Sequence, residues 1–266
     1  MTSRNGLLAQ RRIAVHGLQV HYLVSTNPVP AQRLRLVLVH GYGMSSRYMV
    51  PLAQNLARDF RVYAPDLPGF GRSDKPKRVL DVPDLADSLA AWMTALGLGP
   101  AVLIGNSLGC QVAVEFALRQ RERVACLVLQ GPTPDPAART ARQQVLRQVL
   151  NSRYDGSPRM GWIALSDFMR AGPHRLLLTL RHLLRHRIEE RLTEVPIPAL
   201  VLRGTRDPVV PRPWAQRAAH LLPQGRLIEV AGAAHVMNFH APERFARVVR
   251  RYVGLSATTT SRCEPA

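Results

Sequence analysis

The sequence predicts an α/β protein in which a mostly parallel sheet is covered by helices on both faces. Three observations predict it. Short apolar runs bounded by turn residues recur along the chain, helix-like stretches lie between most of them, and the runs are apolar on both sides rather than on one. The 266 residues are enough for one large domain or two small ones.

In chain order, Ile13–Val24 alternates loosely around Gly17 and reads as a hairpin forming an antiparallel edge of the sheet. The strand-like runs are Leu34–Val39, Arg61–Ala64, Ala101–Ile104, Ala125–Gln130, Ala199–Arg203 and Arg226–Val230. Helix-like stretches fall at Tyr48–Arg58, Val82–Leu96, Cys110–Gln120, Pro213–Leu222 and Pro242–Tyr252. Between Gly131 and Pro196 the strands stop, and only helical patterns remain: Ala137–Asn151, Trp162–Arg170 and His174–Thr193. The last is amphipathic, with Leu176, Leu180, Leu183, Leu184 and Ile188 recurring at steps of three or four. Prolines 132, 134, 136, 196 and 198 punctuate both ends of this region. The expected organisation is a core from 1–131, a helical insertion at 132–195 projecting beyond one end of the sheet as a lid, the rest of the core at 196–255, and a frayed tail at 256–266.

Composition bounds the function. Hydrophobic residues at 46% and charged residues at 20% are ordinary globular values and exclude a fibrous or wholly disordered chain. The three cysteines, Cys110, Cys126 and Cys263, have no C-x-x-C spacing, so neither a disulfide framework nor a structural metal site is expected. With no long apolar run and no export signal, a cytoplasmic protein without stable membrane insertion is expected. The net charge of +18 is unusual, and all but two of the 36 basic residues are arginine. Gathered on one face, that excess would draw polyanions or anionic membranes. Along the chain it is spread evenly, and no helix-turn-helix, zinc-finger or RNA-binding signature accompanies it, so nucleic acid is not an expected partner.

The chemistry lies in four short segments. Gly105-Asn106-Ser107-Leu108-Gly109 follows a strand and precedes a helix, the setting in which G-x-S-x-G makes a sharp turn that lifts a serine hydroxyl clear of a sheet. The Leu108 amide then stands at a helix N-terminus, which favours developing negative charge. His40-Gly41-Tyr42-Gly43 follows Leu34–Val39 and supplies a close-approaching loop, with the Tyr42 amide as a second oxyanion donor and His40 as a structural hydrogen-bonder. Asp207, past the strand Ala199–Arg203, is the carboxylate expected to orient a histidine, with Asp135 as the competing acid. His235, in Gly232-Ala233-Ala234-His235 after Arg226–Val230, is the expected general base, and His240 is its near competitor. The order Ser107, Asp207, His235 is that of one triad class.

These segments, together with Pro65-Asp66-Leu67-Pro68-Gly69-Phe70-Gly71-Arg72-Ser73, resemble the capped, serine-nucleophile α/β-hydrolases from about Leu34 to Val253. The resemblance implies an eight-stranded sheet with one antiparallel strand, no cofactor, and structural roles for Asp66 and Gly69. It also implies a small acyl substrate cleaved through an acyl-enzyme, with a hydrophobic ester expected first. Ser107 argues against the dehalogenases and epoxide hydrolases of this fold, which use Asp there. Carbon–carbon hydrolases of ring-fission diketones, thioesterases, acyltransferases and triad-bearing binding proteins remain alternatives. Many of the carbon–carbon hydrolases carry an aromatic residue after the histidine, where this chain has Val236. Met160, Trp162, Phe168 and Met169 are the expected specificity residues of the insertion, and the oligomeric state is left open.

Overall fold

A computed structural model describes residues 6–30 and 33–260. Strands β1 (Leu8–Val15) and β2 (Leu18–Ser25) form the expected hairpin, which turns at His16 and Gly17, both at positive φ. The chain continues as β3 (Arg35–Val39), a 3-10 turn at Ser46–Met49, α1 (Val50–Leu56), β4 (Arg61–Pro65), α2 (Val82–Ala95), β5 (Ala101–Asn106), α3 (Leu108–Arg119) and β6 (Val124–Gln130). Four helices follow without a strand: α4 (Ala141–Asp155), α5 (Pro158–Ala171), α6 (Pro173–Arg185) and α7 (Ile188–Leu192). The sheet resumes with β7 (Ala199–Gly204), α8 (Arg212–Leu221), β8 (Gly225–Val230), α9 (Met237–His240) and α10 (Pro242–Thr260).

The eight strands are ordered β1-β2-β4-β3-β5-β6-β7-β8. Strand β2 is antiparallel to both neighbours, and the remaining pairs are parallel. The continuous apolar runs have a simple cause. On β3, Leu36 and Leu38 face one core while Val37 and Val39 face the other; Val102 and Ile104 oppose Ala101 and Leu103 on β5, and Leu200 and Leu202 oppose Ala199 and Val201 on β7. Helices α1 and α10 cover the face of Leu36 and Leu38, and α2, α3 and α8 cover that of Val37 and Val39, so alternate side chains are buried on both sides. Each Val, Leu or Ile among them contributes about 1.5–3 kcal/mol on full burial. Local signals set the helix starts: Asp81 and Asp84 close a capping box at α2, and Thr140 and Gln143 close one at α4.

Besides shifted ends on β1, α4 and α5, two elements depart from the sequence reading in kind or length. The single helix expected over His174–Thr193 is two helices, broken at His186 and Arg187. Arg139 Nη1 donates to the Leu184 and His186 carbonyls at 3.1 and 3.2 Å, ending α6 there. His186 Nε2 and Arg191 Nε instead meet Glu115 of α3 at 2.9 and 2.8 Å. Burial opposes the Glu115 charge, but these two partners pull its carboxyl down to about 2. The last helix does not stop near Tyr252: α10 continues to Thr260, so the expected tail begins as helix, and residues 261–266 lie outside the described residues.

Candidate active site

The loops after β3, β5, β6, β7 and β8 leave the same, carboxyl end of the parallel strands, the end at which open α/β sheets place their sites. Ser107 forms the turn between β5 and α3, with φ 55° and ψ −116°. A non-glycine residue held there stores about 1–3 kcal/mol of strain. The two flanking glycines are required by contact. A Cβ on Gly109 would stand 2.2 Å from the Val39 carbonyl oxygen, and one on Gly105 would stand 2.4 Å from the Gly109 carbonyl oxygen. The Ser107 N–H donates to the Gln130 carbonyl at 3.1 Å, and its Oγ is hydrogen bonded to Thr133 Oγ1 at 3.1 Å.

The structure brings His235 and Asp207 together. His235 Nδ1 lies 2.8 Å from Asp207 Oδ2. An ionised carboxylate only accepts, so the ring proton sits on Nδ1 and leaves Nε2 as the acceptor. The other Asp207 oxygen takes the N–H groups of Val209 and Val210 at 2.8 and 3.0 Å, which fixes the carboxylate plane. Burial is the strongest single influence on His235 and opposes its charged form. The charge and hydrogen bond of Asp207, with the charge of Asp155 behind them, outweigh it and raise the imidazole above its ordinary value.

The loop carrying His235 is gripped from both sides. Asn106 Nδ2 donates to the His235 carbonyl at 3.3 Å, and Gln130 Nε2 donates to the same oxygen. From α4, Asn151 Oδ1 accepts the His235 N–H at 3.1 Å, Asp155 Oδ2 accepts the Val236 N–H, and Asn151 Nδ2 donates to Asp155 at 3.0 Å. Asn151 and Asp155 were not identified from the sequence, where the helical pattern ended at Asn151 and both residues look like solvated surface. The structure buries both. Gly131 was missed as well: a Cβ there would stand 2.8 Å from His235 Cε1. If His235 acts as a base, Asp155→Asn removes a charge favouring its protonated form. The acid limb of kcat/KM is then expected to move to lower pH, because the neutral base persists further into acid; a pH–rate profile of both proteins checks this.

The loop after β3 closes with Met44 N–H donating to the Gly41 carbonyl at 3.2 Å. The Gly41 N–H donates to the Tyr48 hydroxyl at 2.7 Å, which donates to Asn106 Oδ1 at 2.6 Å, tying this loop to the serine turn. Leu108 is the first residue of α3, so its N–H has no partner within the helix. His40 is fully buried: its Nε2 accepts the Leu67 N–H at 2.9 Å, its Nδ1 reaches the Gly41 carbonyl at 2.9 Å, and burial lowers its pKa. It is a structural link, as expected. Asp66 likewise anchors loops, accepting from Ser46 N–H, Arg72 N–H and His21 Nδ1. Asp135, the competing acid, pairs with Arg147 at 2.8 Å, and His240 is exposed on α9.

Ser107 and His235 wall a cavity of about 400 Å³. Its other walls include Met160, Ala164 and Phe168 at four-residue steps on α5, Val145 and Val149 on α4, Leu180 and Leu183 on α6, and Val236. No lining residue is Asp, Glu, Lys or Arg. Trp162 and Met169 do not line it, contrary to the sequence expectation. They lie on the opposite side of α5 from Met160 and Ala164 and are 67% and 75% exposed. Among the described residues, no cluster of three or more His, Cys, Asp or Glu side chains could hold a metal ion, and no helix is long and apolar enough to cross a membrane.

The fold and this loop arrangement define a hydrolase of the α/β class. The chain belongs to the alpha/beta hydrolase family, whose pattern matches residues 36–248. It is 27% identical over 245 residues to the pimeloyl-[acyl-carrier protein] methyl ester esterase of Aeromonas salmonicida, covering 82% of this chain and 95% of that one. It is 29% identical over 271 residues to the 2-hydroxy-6-oxononadienedioate/2-hydroxy-6-oxononatrienedioate hydrolase of Burkholderia vietnamiensis, covering 89% and 91%. Among solved structures, a thermophilic esterase from Thermogutta terrifontis superposes with a TM-score of 0.77 at 23% identity, covering 93% of this chain and 99% of that one, a likeness of fold.

Proposed function

We propose that this protein is a serine hydrolase that cleaves an ester of a small, largely hydrophobic acyl substrate, with residues 132–195 as a helical cap over the site. The observation that carries the reading is the cavity itself: a strained serine and a carboxylate-paired histidine are the reactive side chains of an apolar chamber that holds no formal charge on its walls. In this reading the Ser107 hydroxyl turns from Thr133 toward His235 Nε2, passes its proton there and attacks the acyl carbon. Asp207 holds the imidazolium, and the Leu108 and Tyr42 amides take the oxyanion, each donor being worth about 2.7–4 kcal/mol of barrier. His235 returns the proton to the leaving alcohol, then draws one from the water that releases the acid. No cofactor enters these steps.

The relatives include an esterase and a hydrolase of a 2-hydroxy-6-oxo dienedioate, and also a putative carbamate hydrolase. The uncharged lining favours the ester, since a dicarboxylated diketone would carry its two anions into a chamber without an Arg or Lys on its walls. A panel of neutral p-nitrophenyl esters, acyl thioesters and dicarboxylated diketones tests the choice. Turnover is expected with the esters; turnover of the diketones alone would overturn it.

A further inference from the structure

Among the described residues, the large apolar side chains left most exposed lie on helices α4, α5 and α6. Val145 and Val149 on α4, Trp162, Leu165 and Met169 on α5, and Leu177 on α6 are each more than half exposed. These side chains are continuous with the active-site cavity. Val145 and Val149 are at once cavity wall and surface, and Leu146 and Leu150 extend their stripe round α4 at about 100° per residue. On α5 the stripe starts at the cavity-lining Phe168 and continues through Leu165 and Met169 to Trp162. The cavity is therefore flanked by two helices whose apolar surface runs from inside to outside.

The charge on these three helices has one sign. Arg142, Arg153, Arg159, Arg170, Arg181 and Arg185 are exposed, whereas their only acids, Asp155 and Asp167, are buried. Asp155 is turned to the His235 loop, and Asp167 is bound by Ser45 Oγ at 2.6 Å and Arg47 at 3.0 Å. A second copy of the same face would oppose cations with cations. A folded acidic protein would satisfy the arginines while meeting large apolar side chains spread over three helices. An anionic lipid surface accepts both, apolar side chains below the headgroups and arginines among them, as interfacial amphipathic helices do.

We infer that the α4–α6 face docks on anionic lipid surfaces, with the cavity opening toward the lipid so that an amphiphilic acyl substrate passes from it along Val145 and Val149. The docking stands on surface chemistry alone; the passage of substrate rests on the hydrolase reading. The test uses Ser107→Ala protein, so that binding is read without turnover, and vesicles of phosphatidylcholine with or without phosphatidylglycerol. Trp92 and Trp214 are buried, so Trp162 is the reporter. The protein is expected to float with the phosphatidylglycerol vesicles, to shift its tryptophan emission to the blue, and to be quenched by brominated lipid. Trp162→Phe should still float but lose most of the shift. Arg142→Glu/Arg153→Glu/Arg170→Glu, with an unchanged thermal midpoint, should weaken binding at least about tenfold. No flotation, equal flotation on neutral vesicles, or full binding by the triple variant overturns the inference. So does self-association through this face, or capture of an acidic carrier protein in place of vesicles. Flotation by a wild-type protein that cleaves no ester would leave docking standing and remove the ester-hydrolase reading.

Discussion

On the proposed function, Ser107→Ala is expected to remain folded and to lose about four to six orders of magnitude in ester turnover, because a triad nucleophile acts as part of a unit and its loss costs nearly as much as losing the whole. The same position predicts an opposite effect on stability. Ser107 is held at φ 55° with a side chain that favours other conformations. Ser107→Gly relieves that strain, at the cost of a more flexible unfolded chain. It is expected to raise the thermal midpoint relative to Ser107→Ala while remaining as inactive. A serine kept here only for packing would give alanine and glycine variants with wild-type turnover, and parallel melts and rate measurements separate the two cases.

The second large effect is expected at Asp207. Asp207→Asn preserves the size of the side chain but offers the His235 Nδ1–H an amide that can present its NH₂ instead of an oxygen. The imidazole then loses both its tautomer and the charge that stabilises its protonated form, and kcat is expected to fall about 10⁴-fold. Asp135→Asn is the internal control. It removes the partner of Arg147 at 2.8 Å and leaves the Asp207–His235 contact in place, so turnover should stay within a few-fold of wild type. A reversal of the two phenotypes would move the acid to the end of β6.

The legible and illegible parts of this molecule differ in the range of the forces that set them. The central strands read clearly because a parallel strand buried on both faces is apolar along most of its length: all six residues of β5 and of β7 are buried, and only Asn106 and Arg203, near their carboxyl ends, are polar. The serine turn read clearly because its constraints are local, two glycines and a helix start within five residues. The sequence favoured Asp207 over Asp135 although both follow strands, and three-dimensional placement puts Asp207 against the histidine and Asp135 against Arg147. Asn151, Asp155 and Thr133 were illegible for a stronger reason. Asn151 and Asp155 act on the backbone of a loop some 80 residues away, and no pattern in α4 records it. Trp162 and Met169 were misplaced because residue type says nothing about helix phase; the four-residue step from Met160 to Ala164 to Phe168 faces the cavity and turns both of them outward.

The central claim is that Ser107 is a nucleophile made reactive by His235 and its carboxylate partner. The most direct measurement is peptide mapping after reaction with a fluorophosphonate, run across pH. The account predicts one adduct, on Ser107, abolished in His235→Ala and falling away as acid protonates the base. An adduct on another residue, or labelling of Ser107 that is indifferent to His235, would contradict it.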